Sequence, residues 1–90
     1  MDVNYVKEDK LLMINFTEEI DHHTTEKIRR RADYEIERHI PRKVIFDFNK
    51  VSFMDSAGIG LLLGRYKNAM ALGAKVELKN VNKSISNPEI

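Results

Sequence analysis

Four clusters of residues in this chain have types and spacing that could do chemistry. Asp55-Ser56-Ala57-Gly58 brings a carboxylate and a hydroxyl to the start of a stretch with helical spacing, where free backbone N–H groups and the helix dipole favour an anion. Gly58-Ile59-Gly60 with Gly64 looks at first like a dinucleotide cradle. His22-His23 with His39 could ligate a metal or move a proton. Arg29-Arg30-Arg31 could meet a phosphate.

Spacing removes most of these chemistries. The dinucleotide fingerprint needs its third glycine three residues after the second, directly off a strand. Here it falls four residues later, and no G-K-S/T follows to make a phosphate loop. Met54-Asp55-Ser56-Ala57-Gly58 is not the G-x-S-x-G elbow, and no base is spaced to activate Ser56. Two adjacent histidines on a helix diverge by about 100° and the i, i+4 pair of a helical metal site is missing, so they read as first-turn surface. Glu26 to Arg30 and Arg31 to Glu35 are helical pairings, so the arginine run reads as a solvated, self-paired face. No catalytic residue, cofactor or metal is expected, and the chain reads as a binding module rather than an enzyme.

Composition narrows the partner. Ninety residues make one domain, spanning 1–90, with little core to spare. Fifteen basic and 14 acidic residues leave a net charge of +1, which sets up no field for nucleic acid or an anionic membrane. There is no cysteine, so disulfides and thiolate chemistry are excluded. No apolar run approaches the ~20 residues of a membrane span, and the first ten residues lack a basic region followed by an apolar core, so they do not read as a signal peptide. A cytoplasmic location is expected.

The elements that must position Asp55 follow in order. Val3 to Val6 and Leu11 to Phe16 read as a hairpin across the charged turn Lys7 to Lys10. In the second strand Leu12, Ile14 and Phe16 share one face and Leu11 and Met13 the other, so both sides should be largely covered. Asp21 reads as an N-cap accepting from His23 or Thr24. The helix it opens carries Ile28, Ala32 and Ile36 as a narrow stripe, and Pro41 stops it after pushing Ile40 toward extended geometry. Val44 to Phe48 reads as a central strand, and Val51, Phe53 and Met54 as anchors of the connector that follows. Asp55 caps the second helix, whose apolar positions Ile59, Leu62, Leu63, Tyr66, Ala69 and Met70 are expected to form its buried face before Gly73 ends it. Ala74 to Leu78 is the last strand, and residues 81–90 show no period.

The expected fold is α/β, a mixed sheet in the order β-β-α-β-α-β with both helices on one face. Projection at 100° per residue leaves Ala57, Gly60, Leu61, Gly64 and Asn68 on the far side of the second helix. That side lacks the long polar residues of a solvated face. It invites either close approach by another protein or packing against a further part of the chain.

The block F-M-D-S-A-G-I-G-L-L-L-G-R-Y-K, preceded by V-I-F-D-F-N-K-V-S and E-I-D-H-H-T-T-E, resembles the STAS domain of bacterial anti-sigma factor antagonists of the sporulation type, from about Asn4 to Val81. The resemblance implies a partner-switching regulator. Its partner would be an anti-sigma factor with serine kinase activity, held so that a sigma factor is freed. Phosphorylation of the second serine of D-S-S-G would end the contact and a phosphatase would restore it. Docking would use Asp21, His22, Asp55, Ser56, Ala57, Gly58, Gly60, Leu61 and Gly64, the glycines permitting close approach and Leu61 giving apolar contact. That second serine is Ala57 here, so the acceptor hydroxyl is absent. Glu18 also stands where glycine is usual. The family continues after its fourth strand, so the C-terminal part of the fold is expected to be missing or diverged, with low stability, a rearranged tail or a homodimer as the consequence. The alternative is a STAS-like structural or ligand-binding subunit with no phosphorylation cycle.

Overall fold

The structure is a computed structural model and describes residues 1–81; the expectation about the tail beyond Val81 lies outside the described residues. Strands β1 (Asp2–Val6) and β2 (Leu11–Asn15) form the hairpin, antiparallel with Val6 opposite Leu11. Helix α1 (Thr25–His39), strand β3 (Lys43–Asp47), helix α2 (Ser56–Ala71) and strand β4 (Lys75–Lys79) complete the β-β-α-β-α-β order. The sheet runs β1-β2-β3-β4, with β2, β3 and β4 parallel. Both crossovers move the same way along the sheet, so α1 and α2 lie on one face and touch.

The core lies between that face and the helices. Leu12, Ile14 and Phe16 from β2 and its extension, and Val44, Phe46 and Phe48 from β3, are all but fully buried. Ile28, Ala32 and Ile36 lay the stripe of α1 on them. The opposite face is thinner than expected. Leu11 and Met13 are half-buried, Ile45 is covered, and a Lys43–Glu77 ion pair at 2.6 Å crosses from β3 to β4.

Three local expectations are corrected. Helix α1 starts at Thr25, not after Asp21; Asp21 Oδ1 does accept from the N–H of His23 at 2.9 Å and of Thr24 at 3.2 Å, but it closes a turn that precedes the helix. Ile40, ahead of Pro41, is left-handed (φ 45°, ψ 61°) rather than extended, because its N–H closes the last helical bond to Ile36 at 2.9 Å. Phe53 is half exposed while Val51 and Met54 anchor the connector.

The largest correction concerns α2. Gly58, Leu61 and Ala69 are its buried residues, whereas Leu63, Tyr66 and Met70 are 56%, 45% and 50% exposed. Ile59 and Leu62 pack partly on the core. The helix is apolar around most of its circumference, so periodicity alone does not choose the inner arc. Contact with α1 does. Leu61 faces inward, and Asn68 Nδ2 donates to Asp33 Oδ1 of α1 at 3.1 Å. The side expected to be bare is therefore partly the α1 interface.

Candidate functional site

The site is built where two loops meet at the end of the sheet from which the parallel strands exit. Ile20, fully buried, bridges to Met54. The N–H of Ile20 donates to the Phe53 carbonyl and the N–H of Asp55 to the Ile20 carbonyl, each at 3.2 Å. The Glu19 carboxylate accepts from Ser52 Oγ at 2.9 Å and tightens the same junction. These bonds place Asp21-His22 beside Asp55-Ser56, although more than 30 residues separate them in the chain.

Asp55 caps α2 as expected: extended at ψ −173°, it accepts the Gly58 N–H on Oδ1 at 3.1 Å. Its other oxygen lies 3.8 Å from His22 Nδ1, and the imidazole is largely exposed. Burial opposes ionisation of this carboxyl, but the N–H groups of Gly58, Ala57 and His22, with the His22 charge, outweigh it and hold the pKa below the ordinary aspartate value. A folded-state pKa below the unfolded one contributes stability that is present above the unfolded value and lost as pH falls through the folded value. Asp55→Ala is accordingly expected to lower the urea midpoint at neutral pH, with the gap to wild type closing as the pH is taken below the ordinary aspartate range. A gap that persists unchanged in acid would show that the cap is not acting through its charge.

Gly58 sits where the loops cross. A Cβ there would collide with Met54 Cγ and lie 2.8 Å from the Ile20 carbonyl oxygen and 2.9 Å from Ile20 Cγ2. Its missing side chain admits the chain's own loop, so it is a buried structural glycine rather than a point of close approach for another protein. Leu61, 6% exposed, is chiefly a core residue, though it also lines the groove between the helices.

Gly60 and Gly64 are different, for a Cβ at either would meet nothing within 4 Å. With Ala57 they line an open groove of about 290 Å³ between the helices, walled by Thr25, Glu26 and Arg29 of α1 and by Arg65. Arg65, 12% exposed, holds the wall in place. Its Nε lies 2.6 Å from Asp33 Oδ1, a charge contact in which the N–H does not point along the line of a hydrogen bond, while Nη1 donates to the Leu61 carbonyl at 3.3 Å.

The STAS domain profile matches residues 2–87. The chain belongs to the STAS domain family. Two relatives are each named anti-sigma F factor antagonist. The one from Paenibacillus polymyxa is 33% identical over 72 residues, 80% of this chain and 62% of the relative. The one from Lysinibacillus sphaericus is 35% identical over 69 residues, 77% and 59% respectively. This chain thus spans about six-tenths of the length of those curated relatives. The structure of the anti-sigma factor antagonist SpoIIAA in its unphosphorylated form superposes with a TM-score of 0.76 at 30% identity, covering 94% of this chain and 76% of that one. SpoIIAA in its phosphorylated form matches equally. The β-β-α-β-α-β order, the mixed sheet and the one-sided helices are those of a STAS domain.

Within this STAS domain, Asp21, His22, Asp55, Ser56 and Ala57 gather at one end, and Gly60 and Gly64 continue the surface along α2. The other sequence candidates do not converge there. The His22 and His23 rings lie 3.9 Å apart, in the turn before α1 rather than on the helix. His39 is remote, stacked on Tyr5 at 4.0 Å and 3.3 Å from Glu35 Oε1. Among the described residues no three His, Asp or Glu side chains are grouped to hold a metal, and no helix is long and apolar enough to cross a membrane. Glu26 pairs with Arg29 and Arg30. Arg31 does not meet Glu35 as expected; Nη1 donates instead to the Met1 carbonyl at 2.6 Å, and Glu35 faces Arg38 and His39.

Sequence reasoning missed the groove's far wall and its clamp. Thr25, Glu26 and Arg29 belong to a different helix, and only the fold brings them opposite Gly60. A faint signal existed in Asp33, a carboxylate next to the apolar stripe of α1, and Arg65, one of two cations on a largely apolar helix: two opposite charges placed to face inward.

Proposed function

We propose that this chain is an anti-sigma factor antagonist that captures an anti-sigma factor on the Asp21–Asp55 edge and in the groove between α1 and α2. The observation that carries this is the pair Gly60 and Gly64. Each interior glycine weakens a helix by about 1 kcal/mol relative to alanine, and none of the described residues occupies the space a methyl would take. A feature that weakens the helix without serving its packing fits a surface kept low for another chain. Asp21 and Asp55 present carboxylates to basic groups of that partner, and Ala57, next to Ser56, lines the head of the groove.

The partner in this reading is an anti-sigma factor with serine kinase activity, in the cytoplasm, and the chain itself is not a catalyst. Ala57 occupies the acceptor position that the resemblance implies, so the serine that would take the terminal phosphoryl group of ATP is absent. The neighbouring Ser56 hydroxyl points about 100° away around the helix. The chain stays in its capturing form, and the phosphatase of the cycle has nothing to act on. Pull-down with the anti-sigma factor in ADP or in ATP tests the reading, and absence of capture in both nucleotides overturns it.

Ala57 also favours a second reading, a STAS-like structural or ligand-binding subunit without a phosphorylation cycle. Ala57→Ser separates the two. With the kinase and ATP it is expected to gain one phosphate and then to lose capture, because a phosphoserine adds about −1.5 to −2 charges beside Asp55 and within the groove. A serine that stays unmodified points to the second reading. Association of two copies, one of the three consequences expected of a missing or diverged C-terminal part, concerns a face of α2 outside this groove.

A further inference from the structure

The side of α2 away from α1 is apolar and open. Leu63, Tyr66 and Met70 form a ridge along the helix, and Leu78, at 53% exposure, continues the surface onto β4 with Val81 beyond it. Between ridge and strand lies a trough of about 480 Å³, floored by Phe46, Phe48 and Met54, in which none of the described lining residues is charged. Among the described residues sixteen hydrophobic ones make the core of this small fold, and the trough opens directly onto it.

We propose that a second copy of this chain covers the trough, packing about a two-fold axis so that the α2 ridge of each copy sits in the trough of the other. Area supports this occupant. Four large side chains about half exposed, with Val81 at 36%, present on the order of 400–500 Å² of apolar surface, as much as the largest patch of an ordinary monomer. An ordinary interface buries about 800 Å² per partner, of which about 57% is apolar. The patch therefore supplies roughly the apolar share that one side of such an interface needs. Shape supports it too, because a ridge adjoining a trough on one surface is self-complementary under a two-fold axis. Charge is permissive: a net charge of +1 makes two copies repel little, and an uncharged lining gives a foreign partner no electrostatic handle.

The same copies are kept from pairing through the β4 edge. Full antiparallel pairing of Lys75–Lys79 with itself would set Lys75 opposite Lys79 and Glu77 opposite Glu77, and like charges directly opposite destabilise a sheet. The edge is defended by charge and the face is not, which directs association to the face.

Sedimentation of the full chain across a concentration series from about 1 µM to about 1 mM, bracketing weak interfaces, tests the proposal. The expected result is a rise from the mass of one chain to that of two. Leu63→Glu, on an exposed position that leaves the helix intact by circular dichroism, should weaken the association at least tenfold. Gly60→Ala, at a position that lines the α1–α2 groove and not the trough, should leave it unchanged. A single-chain mass throughout overturns the proposal. So does a dimer indifferent to Leu63→Glu, or a monomer that dimerises only after residues 82–90 are removed, since the chain's own residues would then be the occupant. Leu63 lies outside the α1–α2 groove, so loss of self-association and loss of anti-sigma factor capture are separate outcomes.

Discussion

Gly58→Ala is expected to destabilise the domain even though alanine is the better helix former. Gly58 is within the first turn of α2, where alanine would ordinarily gain up to about 1 kcal/mol. Against that, the new methyl would stand 2.8 Å from the Ile20 carbonyl oxygen, as well as colliding with Met54. The methionine can swing aside. The carbonyl cannot move freely, because it accepts the Asp55 N–H and belongs to the bridge that fixes both loops. Overpacking of this kind costs about 1–3 kcal/mol, so the net outcome is a loss of order 1–2 kcal/mol, read as a lower midpoint in urea. The loops would part in the process, carrying Asp21-His22 away from Asp55, and capture of the anti-sigma factor should weaken beyond what the stability loss explains. An unchanged or raised midpoint would show that the crossing is looser than the geometry indicates.

What was legible in the sequence was whatever is local. The hairpin turn at Lys7–Lys10, the stripe of Ile28, Ala32 and Ile36, the apolar β3 and the Asp55 cap depend on residues a few positions apart, and each formed where the spacing put it. The orientation of α2 was not legible, because Ile59–Met70 offers two apolar arcs and the choice rests on α1, a segment about 30 residues upstream. For the same reason spacing puts Leu61 on the outer arc and Leu63 and Tyr66 on the inner one, whereas Leu61 is buried and the other two are exposed. Glycines posed a related problem. Gly58, Gly60 and Gly64 are identical as letters, yet one is packed against Ile20 and two face open space. Asp21-His22 and Asp55-Ser56 are connected in the sequence only through the resemblance, and what joins them in the fold, the Ile20–Met54 bridge, is a pairing of two loop residues that no periodicity marks.

The distinction between the glycines gives the second large effect. Gly60→Ala and Gly64→Ala should each stabilise α2 by up to about 1 kcal/mol, since the added methyl meets no atom of the fold. The two positions are one turn apart and adjacent on the surface, so the double variant should gain somewhat less than the sum. If the groove is where the anti-sigma factor sits, the same methyl groups raise its floor under the partner's backbone. Loss of close contact worth about 1.4 kcal/mol is a tenfold weaker complex. The double alanine variant is thus expected to melt higher and bind at least tenfold more weakly, and Gly64→Leu to abolish capture while remaining folded. No merely structural role for these glycines predicts opposite signs in the two measurements. Higher stability with undiminished capture would move the docking surface off α2 and leave the Asp21–Asp55 edge to carry the contact alone.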